Sequence, residues 1–413
     1  MKWWFKLPIS NQIFIAIIVG AIAGLIFGPK IAVVKPIGDI FISLILMMVI
    51  LLIVPALITG MYGIRDTAKI GRVGIKIVGF FITTTIFAGA MAIVLANVFG
   101  PGRGLSMSPP EGFVYTKPAQ TIVDVLINIV PRNAVQAFAT GNLLSILFVV
   151  VFFGMAMIIL SKTTKMDTLA HFFEEWSKVS LLMLNYIIKL APYGAAALIA
   201  YSIGVYGAKV IGPLGFFVVV VYLGEILILI EYTILMILFK IAPAKFYKIV
   251  RDPAMIAFTT CSSMAALGVN VQATEKMGVP RGIATFGVTL GNVIHMDGTA
   301  LYQAIAVIFI SQVYGLPLTI YQQIMVVVMA TLVTISLVGV PGAGTATLGI
   351  LLMAVGLPVE GIGLVLAVDR ICDMPRTMNN VIGDALVTLI AAKTEGMVPS
   401  NTDKIQTKES NAV

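Results

Sequence analysis

The chain of 413 residues is predicted to be an all-α polytopic membrane protein. Three observations predict this class. First, 59% of residues are hydrophobic and only 11% are charged, whereas soluble domains carry about 25% charged residues. Second, the mean hydropathy is +1.03, and apolar stretches long enough for the roughly 20 residues of a spanning helix recur from end to end. Third, the cations cluster between those stretches. A β-barrel would show short alternating segments instead. The composition excludes an ordinary cytosolic enzyme. The net charge of +8 does not signal nucleic acid, because the cations lie in loops between apolar segments. Cys261 and Cys372 give neither a disulfide framework nor zinc spacing, and two histidines, His171 and His295, are too few for a His-rich metal site.

The first apolar segment, about 10–28, follows Met1-Lys2-Trp3-Trp4-Phe5-Lys6. It lacks a small-residue cleavage site, so it reads as a first transmembrane helix with the tryptophans as interfacial anchor. Further apolar segments fall at about 38–62, 74–99, 141–161, 178–203 and 214–240. Basic loops carry Arg65, Lys69, Arg72 and Lys76, then Lys162 and Lys165, then Lys240, Lys245, Lys248 and Arg251. The alternate loops are poorer in cations, with Lys30 and Lys35, then Arg103, Lys117 and Arg132, then Lys209. The positive-inside rule places both termini and the basic loops in the cytoplasm. The Pro/Gly-rich stretch 100–140 reads as an extracytoplasmic excursion.

Two later stretches do not read as spans. The stretch 252–275 lies between Arg251 and the pair Lys276 and Arg281, with Thr259-Thr260-Cys261-Ser262-Ser263 at its middle. Each half is too short to cross, so a hairpin entering and leaving on one side is expected. The stretch 322–357 has Gly339-Val340-Pro341-Gly342-Ala343-Gly344 at its middle and should enter from the opposite side. Non-helical backbone at membrane depth is tolerated where it is buried in protein or lines a cavity. Two such breaks point to a binding site at the midplane. Between them, 283–311 is apolar except for Asn292 and His295-Met296-Asp297-Gly298-Thr299, which suggests an unwound helix offering oxygen ligands to a small cation.

The strongest signal is Val368-Asp369-Arg370 through Asp373, Pro375, Arg376, Thr377, Asn379 and Asn380 to Asp384, continuing into an apolar run to Ala392. At about 100° per residue, Asp373, Thr377, Asn380 and Asp384 share one narrow helix face, flanked by Asp369, Arg370 and Arg376. Intramembrane charges are costly and usually line a pathway or a site. Arginine offers a planar fork for a carboxylate, so Arg376 is the expected holder of an acidic group. Asp373, one turn away, suits an ammonium, Thr377 and Asn380 orientation, and Asp384 a cation near 295–299. Glu225 and Glu231 in the sixth segment read either as proton carriers or as carboxylates facing a polar neighbour or the membrane edge. Lys189 reads as a snorkelling residue or a subunit contact.

These motifs resemble the glutamate transporter homologue family, the dicarboxylate/amino acid:cation symporters of bacterial or archaeal type. The resemblance rests on Thr260-Cys261-Ser262-Ser263, His295-Met296-Asp297-Gly298-Thr299, Gly339 to Gly344, and Asp373-Met374-Pro375-Arg376-Thr377 with Asn380 and Asp384, in that order. It implies eight transmembrane helices, two re-entrant hairpins, inverted repeats, a homotrimer and an elevator mechanism. Residues 1–73 would then be scaffold helices one and two, and 74–100 a transport-domain third helix. Residues 101–213 would be scaffold helices four and five with the excursion, 214–398 the rest of the transport domain, and 399–413 a cytoplasmic tail.

By the same resemblance the substrate residues are Ser262, Ser263, Thr299, Val340, Gly344, Asp373, Arg376, Thr377 and Asn380. The cation residues are Gly291, His295, Asn380 and Asp384 for one site and Thr84, Thr85 and Asp297 for another, with backbone near Thr334 to Ser336 for a third. The implied function is import of aspartate or glutamate with sodium ions or protons, and no other cofactor. Cystine and C4-dicarboxylates are the alternative substrates within the family, and nucleic acid is not a partner. An intramembrane enzyme is not expected. Ser262 and Ser263 lack a Gly-x-Ser-Gly setting, and Ile382-Gly383-Asp384 lacks a glycine of the aspartyl-protease motif. A charged stripe matched to a zwitterion also argues against a channel.

Four departures from the family pattern bear on the coupling ion. His295 stands where the family has a sodium-holding asparagine, and histidine titrates near physiological pH. A family tyrosine is replaced by Phe81 or Phe80. Cys261 and Met374-Pro375 stand where a second arginine is common. Gln303 replaces a proton-carrying glutamate of eukaryotic members. Both sodium and protons, the latter through His295, stay open as coupling ions.

Overall fold

Apolar segments in this chain become helices because lipid leaves no other way to satisfy a single segment's backbone. A computed structural model describes residues 7, 9–64, 72–110, 113, 130–140, 143–334 and 343–398. Among these residues all regular structure is helical. The tryptophan anchor, Arg65, Lys69, Lys117, the second hairpin's tip with Ser336 and Val340, and the polar tail lie outside the described residues.

The chain begins with α1 (Ile9–Phe27), α2 (Lys35–Ile64) and α3 (Arg72–Phe99), followed by a short α4 (Ala134–Thr140) and α5 (Leu143–Leu160). Next come α6 (Asp167–Ile188), α7 (Ala191–Tyr206) and α8 (Ile211–Leu238). With its 28 residues, α3 is about 42 Å long at 1.5 Å per residue, more than enough to cross a bilayer. One expectation changes here. The stretch 178–203 is not one helix: α6 starts earlier, at Asp167, and the helix is interrupted at Lys189–Leu190, just before α7 with Pro192 in its first turn. A proline fits the first turn of a new helix, where its missing N–H is not needed.

The first hairpin is α9 (Pro243–Thr260) and α10 (Ser263–Lys276), so it starts nine residues before the expected 252. At its tip Cys261 is left-handed (φ 52°, ψ 38°) and Ser262 is extended, with Ser262 Oγ accepting from Ala265 N at 3.3 Å as the N-cap of α10. This is how two helices reverse in two residues. The expected broken helix is α11 (Arg281–Ile294) and α12 (Asp297–Val313), interrupted at His295 and Met296. Then α13 (Ile320–Thr334) and α14 (Ala343–Ala354) flank the second expected hairpin tip, and a short α15 (Ile362–Leu366) leads to α16 (Asp369–Thr394).

Two groups of helices pack mainly among themselves. One comprises α1, α2, α5, α6 and α7; the other α3, α8–α14 and α16. At the centre of the second group, every residue of α12 from Asp297 to Ser311 is buried, as for a helix that is enclosed on all sides. Against it lies α16, which contains Pro375. Proline has no N–H for the carbonyl four residues back. That carbonyl, of Ile371, accepts instead from the Tyr222 hydroxyl at 3.0 Å, so α16 keeps its course without an orphaned acceptor.

Candidate functional site

The polar residues singled out by sequence meet where α12 and α16 cross behind the hairpin tip. Two charged clusters form there. In the first, Arg376 is 1% exposed. Its Nε and Nη2 donate to Asp373 Oδ1 at 2.9 and 2.8 Å, and its Nη1 donates to Asp369 Oδ1 at 3.3 Å. The guanidinium carbon lies 4.5 Å from the centre of the Tyr302 ring, a cation–π stack. Asp369 also accepts from Thr345 Oγ1, and Thr377 Oγ1 donates to Asp373 at 2.9 Å. The carboxylate expected to meet an ammonium is thus already engaged by Arg376 and Thr377.

Thr299 and Gly344 complete the surroundings of this arginine. A Cβ on Gly344 would lie 3.0 Å from the Thr299 methyl and 3.2 Å from the guanidinium carbon, so the backbone of α14 lies directly against the charge. The Gly344 carbonyl accepts from Gln303 Nε2 at 2.9 Å. Asn380 bridges the clusters, its Oδ1 accepting from Gly298 N at 2.9 Å and its Nδ2 donating to Thr299 Oγ1 at 3.1 Å. Ser263 is buried beside the hairpin tip. Arg370, on the flank of the stripe, donates to the carbonyls of Thr259 and Thr260 at 3.0 and 3.3 Å. Those carbonyls end α9, where a cation is favoured by the helix dipole. Arg370 therefore ties α16 to the hairpin tip.

The second cluster is centred on His295, which is 0% exposed. Its Nδ1 lies 2.9 Å from Asp384 Oδ1 and its Nε2 lies 3.0 Å from Asp297 Oδ2. Thr84 Oγ1 is 3.2 Å from Nε2, and Thr85 Oγ1 donates to Asp297 Oδ1 at 2.6 Å. The Tyr232 hydroxyl donates to Asp297 Oδ2 at 2.9 Å. Phe81, rather than Phe80, stacks on the imidazole at 4.5 Å. Two glycines make the space: a Cβ on Gly383 would lie 2.3 Å from His295 Cε1, and one on Gly291 would lie 2.5 Å from Asp384 Oδ1. All cation residues of the two expected sites therefore converge, with an imidazole between the carboxylates. Thr334, expected near a third site, donates its hydroxyl to the Thr331 carbonyl.

Sequence reasoning does not single out Tyr302, Thr345 or Tyr232. Tyr302 lies one turn beyond Thr299 on α12, so a helical-face reading could find it. Thr345 and Tyr232 come from distant elements and carry no local signal.

Among the described residues the buried ionisable core holds five carboxylates, on Glu225, Asp297, Asp369, Asp373 and Asp384, against Arg376 and His295. Carboxylates exceed cations even with the imidazole charged. Such a centre favours an added cation or proton, the more so when an anion is to enter.

A model of a protein family described as the sodium:dicarboxylate symporter family matches residues 9–394. The chain is 35% identical over 405 residues to the proton/sodium-glutamate symport protein of Bacillus caldotenax, covering 95% of each. It is 34% identical to the proton/glutamate-aspartate symporter of Escherichia coli (strain K12), over 87% of this chain and 85% of the relative. It is 33% identical to the C4-dicarboxylate transport protein of Deinococcus deserti, over 94% of this chain and 89% of the relative.

Proposed function

The chain belongs to the sodium:dicarboxylate symporter family, and on that premise we propose that it is a secondary active symporter importing aspartate or glutamate. The observation that carries this reading is Arg376, a guanidinium held at the centre of the helical core by Asp373, Asp369 and the Tyr302 ring. Its three nitrogen contacts use three of five N–H donors. A substrate carboxylate takes the remaining ones, against the Gly344 backbone and Thr299. The ammonium then competes with Arg376 for Asp373, and Ser262, Ser263, Val340, Thr377 and Asn380 are the further substrate contacts of this reading.

A C4-dicarboxylate is the second reading, because Asp373 already has Arg376 and Thr377 as partners and needs no ammonium. Cystine is a further candidate from the motif. Uptake of one labelled acid in competition with aspartate, glutamate, succinate and cystine decides among them. Inhibition by succinate but not by the amino acids rules out the amino-acid reading.

For the coupling ion, both ring nitrogens of His295 face carboxylates, and an imidazolium is the form that donates to both. It lies where a sodium ion between Asp297 and Asp384 would lie, which favours protons at that position. Sodium remains for the positions that the family resemblance assigns to Gly291 and Asn380. Proteoliposomes given a sodium gradient alone or a pH gradient alone separate the two; uptake driven only by sodium excludes proton coupling. In this reading α1, α2 and α5–α7 are the scaffold of a homotrimer in the cell membrane. The helices around α12 and α16 form a domain that carries the site across as an elevator. Eight spans and two hairpins leave both termini cytoplasmic.

A further inference from the structure

Four of the five buried carboxylates contact an arginine or a histidine. Asp297 and Asp384 contact His295, and Asp369 and Asp373 contact Arg376. Glu225 on α8 is different. It is 2% exposed, and its polar neighbour is a neutral amide. Asn379 Nδ2 donates to Glu225 Oε2 at 2.7 Å and to the Glu225 carbonyl at 2.9 Å. Glu225 Oε1 and Asn379 Oδ1 have no hydrogen-bond partner among the described residues. An asparagine amide has two N–H donors, and both are used here. The pair is one donor short, and a proton on the Glu225 carboxyl supplies it. A buried ionised carboxylate with neither a cation nor a full set of donors is strongly disfavoured.

The charged groups around Glu225 act in both directions, and the one cation among them is already engaged. From α16 it is faced by Arg376, which already has two carboxylates, and by Asp373, with the Cys372 thiol nearby; from α12 it is faced by Asp297. On its own helix Tyr222 is the titratable neighbour. On α3, which also packs against α8, no residue after Lys76 is charged. On α9, Tyr247 is bonded to Thr233 and the Leu229 carbonyl, further along α8. Position completes the case. A Cβ on Gly298 would lie 2.9 Å from Glu225 Oε2 and 2.7 Å from the Arg376 carbonyl. Glu225 is therefore one glycine away from the arginine's own turn of α16, and its partner Asn379 precedes Asn380, which holds Gly298 and Thr299.

We propose that Glu225 is a proton-binding site of the transport cycle, separate from His295, whose proton enters with the acidic substrate and leaves with it. The proposal rests on the symport reading. The test uses the full chain in proteoliposomes with a pH-sensitive dye trapped inside and labelled aspartate and glutamate outside. Inward proton movement with uptake is expected in the wild type. In Glu225→Gln the protons moved per substrate fall by about one, while exchange of labelled for unlabelled substrate continues. An unchanged ratio overturns the proposal.

Asn379→Asp places a second carboxylate against Glu225, and two such groups share a proton. Its uptake should persist to higher pH than that of the wild type; an unshifted pH profile counts against the site even if Glu225→Gln does not fold. A readout independent of transport is the infrared carbonyl band of a protonated carboxyl in the purified protein at neutral pH, lost in Glu225→Gln. Absence of that band in the wild type overturns the proposal. If the band is present but the wild type takes up no acidic substrate, the symport reading fails and the proton site stands.

Discussion

The contact between α1 and α7 and the crossing of α12 and α16 are built on opposite principles. Where α1 meets α7, small residues let backbones touch. A Cβ on Gly20 would lie 2.4 Å from the Ala196 carbonyl oxygen, and one on Gly24 would lie 2.7 Å from that of Ala200. The other face of α1 presents Ile18, Val19, Ile22, Leu25 and Ile26 outward. This is the small-residue packing by which helices associate in lipid, where apolar side chains gain little by leaving the tails. Where α12 meets α16, directed contacts do the holding: Asn380 to Gly298 and Thr299, His295 at the head of α12 to Asp384, and Arg376 to the Tyr302 ring. Steric contacts of the first kind have one good arrangement. Polar contacts of the second kind can be exchanged for a ligand's groups.

The largest expected effect tests the polar region. Arg376→Ala leaves Asp369 and Asp373 buried without their cation, a loss of about 3–5 kcal/mol for a broken buried pair. Uptake of aspartate and glutamate into proteoliposomes should disappear. Retained uptake would show that the guanidinium does not hold the substrate.

His295→Asn comes next. It removes the imidazole that lies between Asp297 and Asp384, so the purified protein should melt lower in sodium-free buffer. Added sodium should recover stability by mass action, since a cation that binds only the folded state raises its stability. Melting temperatures that do not depend on sodium would separate this position from cation binding.

Gly24→Leu probes the steric region. Overpacking of this kind costs about 1–3 kcal/mol, so the melting temperature should fall. The ratio of sodium-driven to proton-driven uptake in the surviving protein should match the wild type. A changed ion ratio would mean that the two regions are not energetically distinct.

The smallest effect is expected for Tyr222→Phe, which removes the hydroxyl that serves the Ile371 carbonyl above Pro375. One buried hydrogen bond contributes about 1 kcal/mol. A modest fall in melting temperature with uptake nearly intact is expected. A large fall in uptake would tie the proline turn of α16 to transport itself.

Much of this is legible in the chain. The break at His295–Met296 can be read because an Asp and a Gly inside an apolar run mark a place where a membrane helix unwinds. The face of Asp373, Thr377, Asn380 and Asp384 follows from helical periodicity alone. The turn at Thr259–Ser263 shows as a polar cluster between two apolar arms, but the full length of the first arm does not show. That arm's outer turns, Pro243 to Arg251, carry Lys245, Lys248 and Arg251 among apolar residues, and such a cluster of cations reads as a loop. The interruption at Lys189–Leu190 is hidden because both sides are equally apolar.

By itself the sequence determined the compartment, the helical class and the short list of polar residues that lie inside the core. Those depend on composition and on local period, which each segment carries with it. The tertiary structure alone decided who partners whom. It put an imidazole between Asp297 and Asp384, sent Arg370 to the hairpin tip and left Glu225 with an amide. The physical reason is that a buried charge is defined by its neighbours. Partners such as Tyr232 and Thr85 reach Asp297 from 65 and 212 residues away, and no local pattern records that distance.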